Sequence, residues 1–119
     1  MPSQETVVVT GARGRFGSRT AAALADAGHE VVAVDLTAPE EEYENISFHG
    51  IDLTEEDRAR GVVADADPDY VVHLGAIPSP NRGDRVYENN SISAYYMLDE
   101  AGKAGADVVQ ASSESAYGF

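Results

Sequence analysis

Three glycines and one aspartate carry the most chemical information in this chain. Gly11, Gly14 and Gly17 recur at every third position, and Asp35 follows Gly17 by 18 residues. Gly11 can turn the chain sharply, using dihedrals that cost a side-chain-bearing residue energy. Gly14 leaves the backbone open to a bulky anion such as a pyrophosphate, and Gly17 lets a following helix pack closely on neighbouring strands. A helix that starts there points free N–H groups and the positive end of its dipole at that anion. A carboxylate at Asp35 can accept hydrogen bonds from a ribose. The combination is chemistry for holding a dinucleotide.

The flanking elements must place these groups. Val7, Val8 and Val9 form a β-branched run that reads as a buried strand entering the glycine segment. Ser18 to Ala27 carry helix formers (Ala21, Ala22, Ala23, Leu24, Ala25), and Gly28 stands where a helix stop belongs. A second apolar run, Val31 to Val34, delivers Asp35. Strand, glycine turn, helix, strand and acid make a dinucleotide-binding βαβ unit. A ribose 2′-phosphate would be repelled at Asp35, and Leu36 and Thr37 bring no cation, so the sequence favours NAD over NADP. Arg13 and Arg15 argue the other way, because a loop arginine can reach a 2′-phosphate.

With 119 residues the chain is about one domain, 1–119. No apolar run approaches the roughly 18 residues of a membrane span, and the Met-Pro-Ser-Gln-Glu start has no basic segment followed by an apolar one. The absence of cysteine excludes disulfides and thiolate chemistry, and no His or Cys cluster has metal-site spacing, so no metal is expected. These features suit a cytoplasmic protein. Twenty-one acids against eight bases give a formal charge of −13, and Lys103 is the only lysine. Nucleic acid and anionic membranes are poor partners for such a field. The scarcity of lysine favours adaptation to high salt, where screening relieves acid–acid repulsion.

Further along, residues 37–45 read as an exposed acidic connection broken by Pro39. Ile46 to His49 alternates as a third strand, and Thr54 is placed to cap a helix running to about Ala64. Tyr70 to Leu74 makes a mostly apolar, central fourth strand. Residues 75–84, with Pro78, Pro80 and Gly83, form a loop at the end that in such sheets faces the ligand crevice. Arg85 to Ala101 reads as a long helix closed by Gly102 and Gly105, and Ala106 to Ala111 as a fifth strand.

Thr10-Gly11-x-x-Gly14-x-x-Gly17, Asp35, Asp52-Leu53, His73-Leu74-Gly75-Ala76, Asn90 and Ser112-Ser113-x-x-x-Tyr117-Gly118 follow one another in a familiar order. In order and spacing they resemble the extended short-chain dehydrogenase/reductases of the NAD-dependent epimerase/dehydratase type. Arg15 and Gly75 depart from that family's usual aromatic and alanine. The resemblance covers essentially the whole chain and corresponds to the amino-terminal part of such enzymes. It implies an α/β fold, a doubly wound parallel sheet of the Rossmann type carried to about its fifth strand. It also implies a sugar or nucleotide-sugar substrate and a homo-oligomer packed through the helix at Arg85–Ala101.

Residue by residue, the resemblance implies that the backbone at Arg15 and Phe16 holds the pyrophosphate and that Asp52 and Leu53 flank the adenine. Leu74, Gly75 and Ala76 would run beneath the cofactor with Asn90 nearby, and His73 would be a structural residue at the strand end. Ser113 matches the catalytic serine or threonine, which hydrogen-bonds the reacting substrate oxygen. Tyr117 matches a tyrosine whose default role is packing. The family's acid/base is a tyrosine followed four residues later by a lysine, whose charge lowers the tyrosine pKa. None of the six tyrosines here has a lysine at that spacing. The expected function is therefore the cofactor-binding half of an NAD-dependent epimerase, dehydratase or dehydrogenase, with a non-catalytic NAD(H)-binding module as the alternative. The fifth strand, left without a far neighbour, would be an apolar edge open to self-association.

Overall fold

Val7, Val8 and Val9 are almost wholly removed from solvent, as a strand flanked on both sides must be. In the computed structural model, which describes residues 4–74 and 84–110, that strand is the centre of a five-stranded sheet. The elements are β1 (Thr6–Thr10), α1 (Arg15–Asp26), β2 (Glu30–Asp35), β3 (Ile46–Gly50), α2 (Glu56–Ala66), β4 (Tyr70–His73), α3 (Asp84–Ala104) and β5 (Asp107–Gln110). The strand order is β3-β2-β1-β4-β5 and every pairing is parallel. The order reverses at β1, so the carboxyl ends of β1 and β4 flank the switch point, where such sheets open a crevice.

Alternation along β1 and β2 divides the core between the two faces. Val7, Val9, Val31 and Ala33 pack against Ala21 and Ala25 of α1. Val8, Val34 and Val71 pack against Ala59, Val62 and Val63 of α2 and Met97 and Ala101 of α3. The helices therefore sit on both faces, as the doubly wound expectation requires.

Both α1 and α3 end in the same way. Gly28 adopts φ +94° and Gly105 φ +72°. His29 N–H donates to Leu24 O at 3.1 Å, and Ala106 N–H to Ala101 O at 2.9 Å, the paired closure that only a left-handed residue permits cheaply.

Three boundary expectations need correction. α1 begins at Arg15, inside the glycine motif, rather than near Ser18; Ser18 N–H already donates to Gly14 O at 2.9 Å. Gly102 does not stop α3, which runs through it to Ala104. Thr54 does not cap α2. Its hydroxyl and N–H both donate to Asp52 Oδ1, at 2.7 and 2.9 Å, which spends the hydroxyl on a turn two residues back. The helix then starts at Glu56, with Glu56 and Asp57 in its first turn, where negative charge opposes the dipole favourably.

α2 and α3 are tied together by one cation. Arg60 donates from Nε to Glu56 at 2.8 Å and from Nη1 to Asp99 at 2.5 Å and Glu100 at 3.1 Å. Its guanidinium also lies 5.6 and 5.3 Å from the ring centroids of Tyr95 and Tyr96. Among the described residues β5 has β4 as its only strand neighbour, and Val109 is 59% exposed on that border.

Candidate functional site

The glycine segment is shaped mostly by its own backbone. Gly11 has φ +66°, in the left-handed region that favours glycine. The turn it makes is closed by Gly14 N–H donating to Gly11 O at 3.0 Å and anchored by Ala12 N–H donating to Val34 O at 3.1 Å. A Cβ on Gly17 would stand 1.9 Å from Gly11 O and 2.7 Å from Gly11 C. Only glycine lets α1 come this close to the turn. A Cβ on Gly14 would meet Gly11 O at 3.2 Å, a milder restriction.

The start of α1 is left available to an anion. Gly14 is its N-cap and provides no side-chain cap, and the first turn has no acidic residue. Orphan N–H groups at a helix start need a partner from solvent or ligand. Arg15 and Phe16, the first two helical residues, are exposed, and Phe16 is 70% exposed. One signal in the sequence strengthens this placement. Between Thr6 and Ala25 there is no acidic residue, while Arg13, Arg15 and Arg19 all fall there. In a chain of formal charge −13 that segment is locally positive, which favours a phosphate.

Asp35 closes the other side. Its Oδ2 accepts Arg13 N–H at 2.9 Å and its Oδ1 accepts Leu36 N–H at 2.7 Å. A carboxylate offers roughly four lone-pair sites, so these two bonds orient it and leave capacity for hydroxyl donors. Arg13 bends along the end of β2, its Nη1 donating to Thr37 Oγ1 at 2.6 Å. The glycine turn, the open helix start and the acid are thus one unit, joined by hydrogen bonds between residues 22 apart in sequence.

The end of β3 joins the same rim, with Ile51 N–H donating to Asp35 O at 2.7 Å. Asp52 follows. The Thr54 hydroxyl and N–H hold its carboxyl below the usual carboxylate range, so Asp52 is ionised near pH 7. Leu53 is 8% exposed, with its side chain in the core beside Ile51 and Val63; its backbone is what remains to face a ligand. Leu74 leaves β4 with its N–H donating to Thr10 Oγ1 at 2.9 Å. Asn90 is placed by the backbone of α3 alone, and Gly75, Ala76, Ser113 and Tyr117 lie outside the described residues. Among the described residues no group of three or more metal-ligating side chains converges. No described helix is long and apolar enough to cross a membrane.

The NAD dependent epimerase/dehydratase family matches residues 7–119. The chain belongs to that family. It is 31% identical over 133 residues to a UDP-glucose 4-epimerase of Schizosaccharomyces pombe, an alignment covering 95% of this chain and 36% of that protein. In three dimensions it is similar to an epimerase from Methanothermobacter thermautotrophicus, with a TM-score of 0.83, 30% identity, and coverage of 94% of this chain and 36% of that one. It is also similar to a mutant uronate dehydrogenase from Agrobacterium tumefaciens complexed with NAD, with a TM-score of 0.80, 26% identity, and coverage of 92% and 41%. The chain therefore spans about two-fifths of the length of the relatives it matches. The fold and family implied by the sequence resemblance are both borne out.

Proposed function

We propose that this chain forms the cofactor-binding half of an NAD-dependent epimerase, dehydratase or dehydrogenase acting on a sugar or nucleotide sugar. The observation that carries the reading is the single hydrogen-bonded unit made by the Gly11 turn, the uncapped start of α1 and the Asp35 carboxylate. The residues fit the cofactor. The N–H groups of Arg15, Phe16 and Gly17 would take the pyrophosphate, Asp35 the adenosine ribose hydroxyls, and the Asp52–Leu53 backbone the edge of the adenine. Leu74, Gly75 and Ala76 would lie beneath the nicotinamide half, with Asn90 beside them. Bound nicotinamide would supply the acceptor and donor of hydride. Ser113 would hydrogen-bond the substrate oxygen that gains or loses a proton.

Relatives named as UDP-glucose 4-epimerases support a nucleotide-sugar substrate. We read the outward stripe of α3, with Ile92, Tyr95 and Leu98 at 40%, 60% and 45% exposure, as the contact face of a homo-oligomer.

Calorimetric titration with NAD and NADP, for the chain and for Asp35→Ala, tests the proposal. The expected result is NAD binding that weakens at least about tenfold in Asp35→Ala, as for loss of hydrogen bonds to a charged group. No binding by a chain that circular dichroism shows to be folded would overturn it.

A further inference from the structure

Among the described buried residues only three are polar: Thr10, His73 and Ser93, at 0%, 5% and 3% exposure. They share one end of the domain. Thr10 and His73 are register partners that close β1 and β4. Ser93 lies one turn before Met97 on the inward side of α3, whose first turns cover the carboxyl ends of the strands because α3 runs back from β4 to the start of β5. One layer lower, the same face is occupied by Val8, Val71 and Met97. A polar layer in an otherwise apolar core costs free energy unless its groups are paired.

They are paired with some economy. Thr10 Oγ1 and His73 Nδ1 are hydrogen-bonded at 2.7 Å, while the same Oγ1 accepts Leu74 N–H at 2.9 Å. Burial pushes the His73 imidazole below its ordinary range, so near pH 7 the ring is neutral and has one donor and one acceptor nitrogen. Strand pairing does not require this arrangement. The β1–β4 ladder already aligns the two backbones, and β-branched apolar residues, as at the layer below, would serve a sheet equally well. What the pair adds lies at the strand exits. Gly11, which opens the turn proposed above to take the pyrophosphate, directly follows Thr10; Leu74, proposed above to lie beneath the nicotinamide half, directly follows His73.

We infer that His73 is a positioning residue for cofactor binding, locking the exit of β4 to the exit of β1 through Thr10 so that both walls of the crevice keep one spacing. The inference rests on the NAD site proposed above. Groups that bind one ligand must be held to within about 0.5 Å of their productive geometry, and the hydroxyl–imidazole pair removes that freedom.

The test is calorimetric titration with NAD, alongside thermal melts, for the full chain and five variants. Thr10→Val and His73→Phe keep the volume and remove the hydrogen bond. Thr10→Ser and His73→Asn keep a hydroxyl or an Nδ1-like group. Val63→Ala makes a cavity in the same core, on α2. We expect Thr10→Val and His73→Phe to raise the Kd for NAD about tenfold, and Thr10→Ser and His73→Asn to stay within about threefold of the parent. Val63→Ala should lower Tm with little change in Kd. The inference is overturned if Thr10→Val and His73→Phe lose only Tm, as Val63→Ala does, or if the conservative variants lose as much affinity as the others. Failure of both Thr10→Val and His73→Phe to fold would make the pair a requirement of the fold and also overturn it. A folded parent chain that binds no NAD removes the proposed site and this inference together, whereas a binding parent with an unaltered Kd in Thr10→Val removes this inference alone.

Discussion

Two regions of this molecule are held together by opposite means. At the carboxyl end of β1 and β2, the turn, helix start and acid are joined by backbone donors and by the lack of a Cβ at Gly17. Between α2 and α3, Arg60 gathers Glu56, Asp99 and Glu100 at the surface and lies beside two tyrosine rings. The first arrangement depends on contact distances and is nearly indifferent to ionic strength. The second depends on long side chains and on charges that salt screens. The proposed site for a charged ligand, in a chain of formal charge −13, is thus shaped mostly by backbone contacts.

The largest effect should come from the contact at Gly17. Gly17→Ala places a methyl group 1.9 Å from a backbone oxygen, so the turn or the helix must move. We expect a cost of about 3 kcal/mol or more, a Tm lowered by at least about 10 °C, and no measurable NAD binding. A variant with parental Tm would break the claim that close packing shapes this region.

Next comes charge selection at the ribose. In Asp35→Ser the carboxylate that would repel a 2′-phosphate is gone, while Arg13 remains at the end of β2, bonded to Thr37. The ratio of NADP to NAD affinity should rise by about tenfold or more, read by calorimetry. An unchanged ratio would place Arg13 beyond reach of the 2′ position.

His73 supplies a pH test. In the unfolded chain a histidine takes up its proton near pH 6.5, whereas burial holds the folded residue neutral to lower pH. Between those values the unfolded state binds more protons. The stability is therefore present above about pH 6.5 and is lost as pH falls through the folded value. Tm of the parent should drop more steeply than that of His73→Asn between pH 7 and pH 5, by a few degrees. Parallel curves would show that His73 does not titrate differentially.

The smallest effect belongs to the ionic region. Arg60→Met retains an apolar stem over the tyrosines and removes the charge. Tm should fall by about 2–5 °C at low salt and by less in molar salt. A difference that persists undiminished in molar salt would mean that the link between α2 and α3 is chiefly packing.

What was legible in the sequence follows the range of each interaction. The valine runs and the spaced glycines announce β1, the turn and α1, because burial and left-handed dihedrals are properties of one residue and its immediate neighbours. Thr54 misled because a cap and a turn compete for one hydroxyl, and Asp52, two residues back, wins it. Gly102 misled because glycine is tolerated within a helix, and the left-handed stop fell three residues later at Gly105. The Arg60 cluster could not be read at all, since its partners on α3 are 39 and 40 residues away. The Thr10–His73 pair spans 63 residues: each strand end was foreseen, but not that their side chains meet.

The central claim is that the start of α1 and the end of β2 hold NAD as one site. Backbone amide NMR of the isotopically labelled chain, titrated with NAD, tests it most directly. The account predicts the largest shift changes at Arg15, Phe16, Gly17 and Leu36, with Gly105 and Ala106 at the far end of α3 unmoved. Shifts that gather at α2 and α3 while the glycine segment stays still would contradict it.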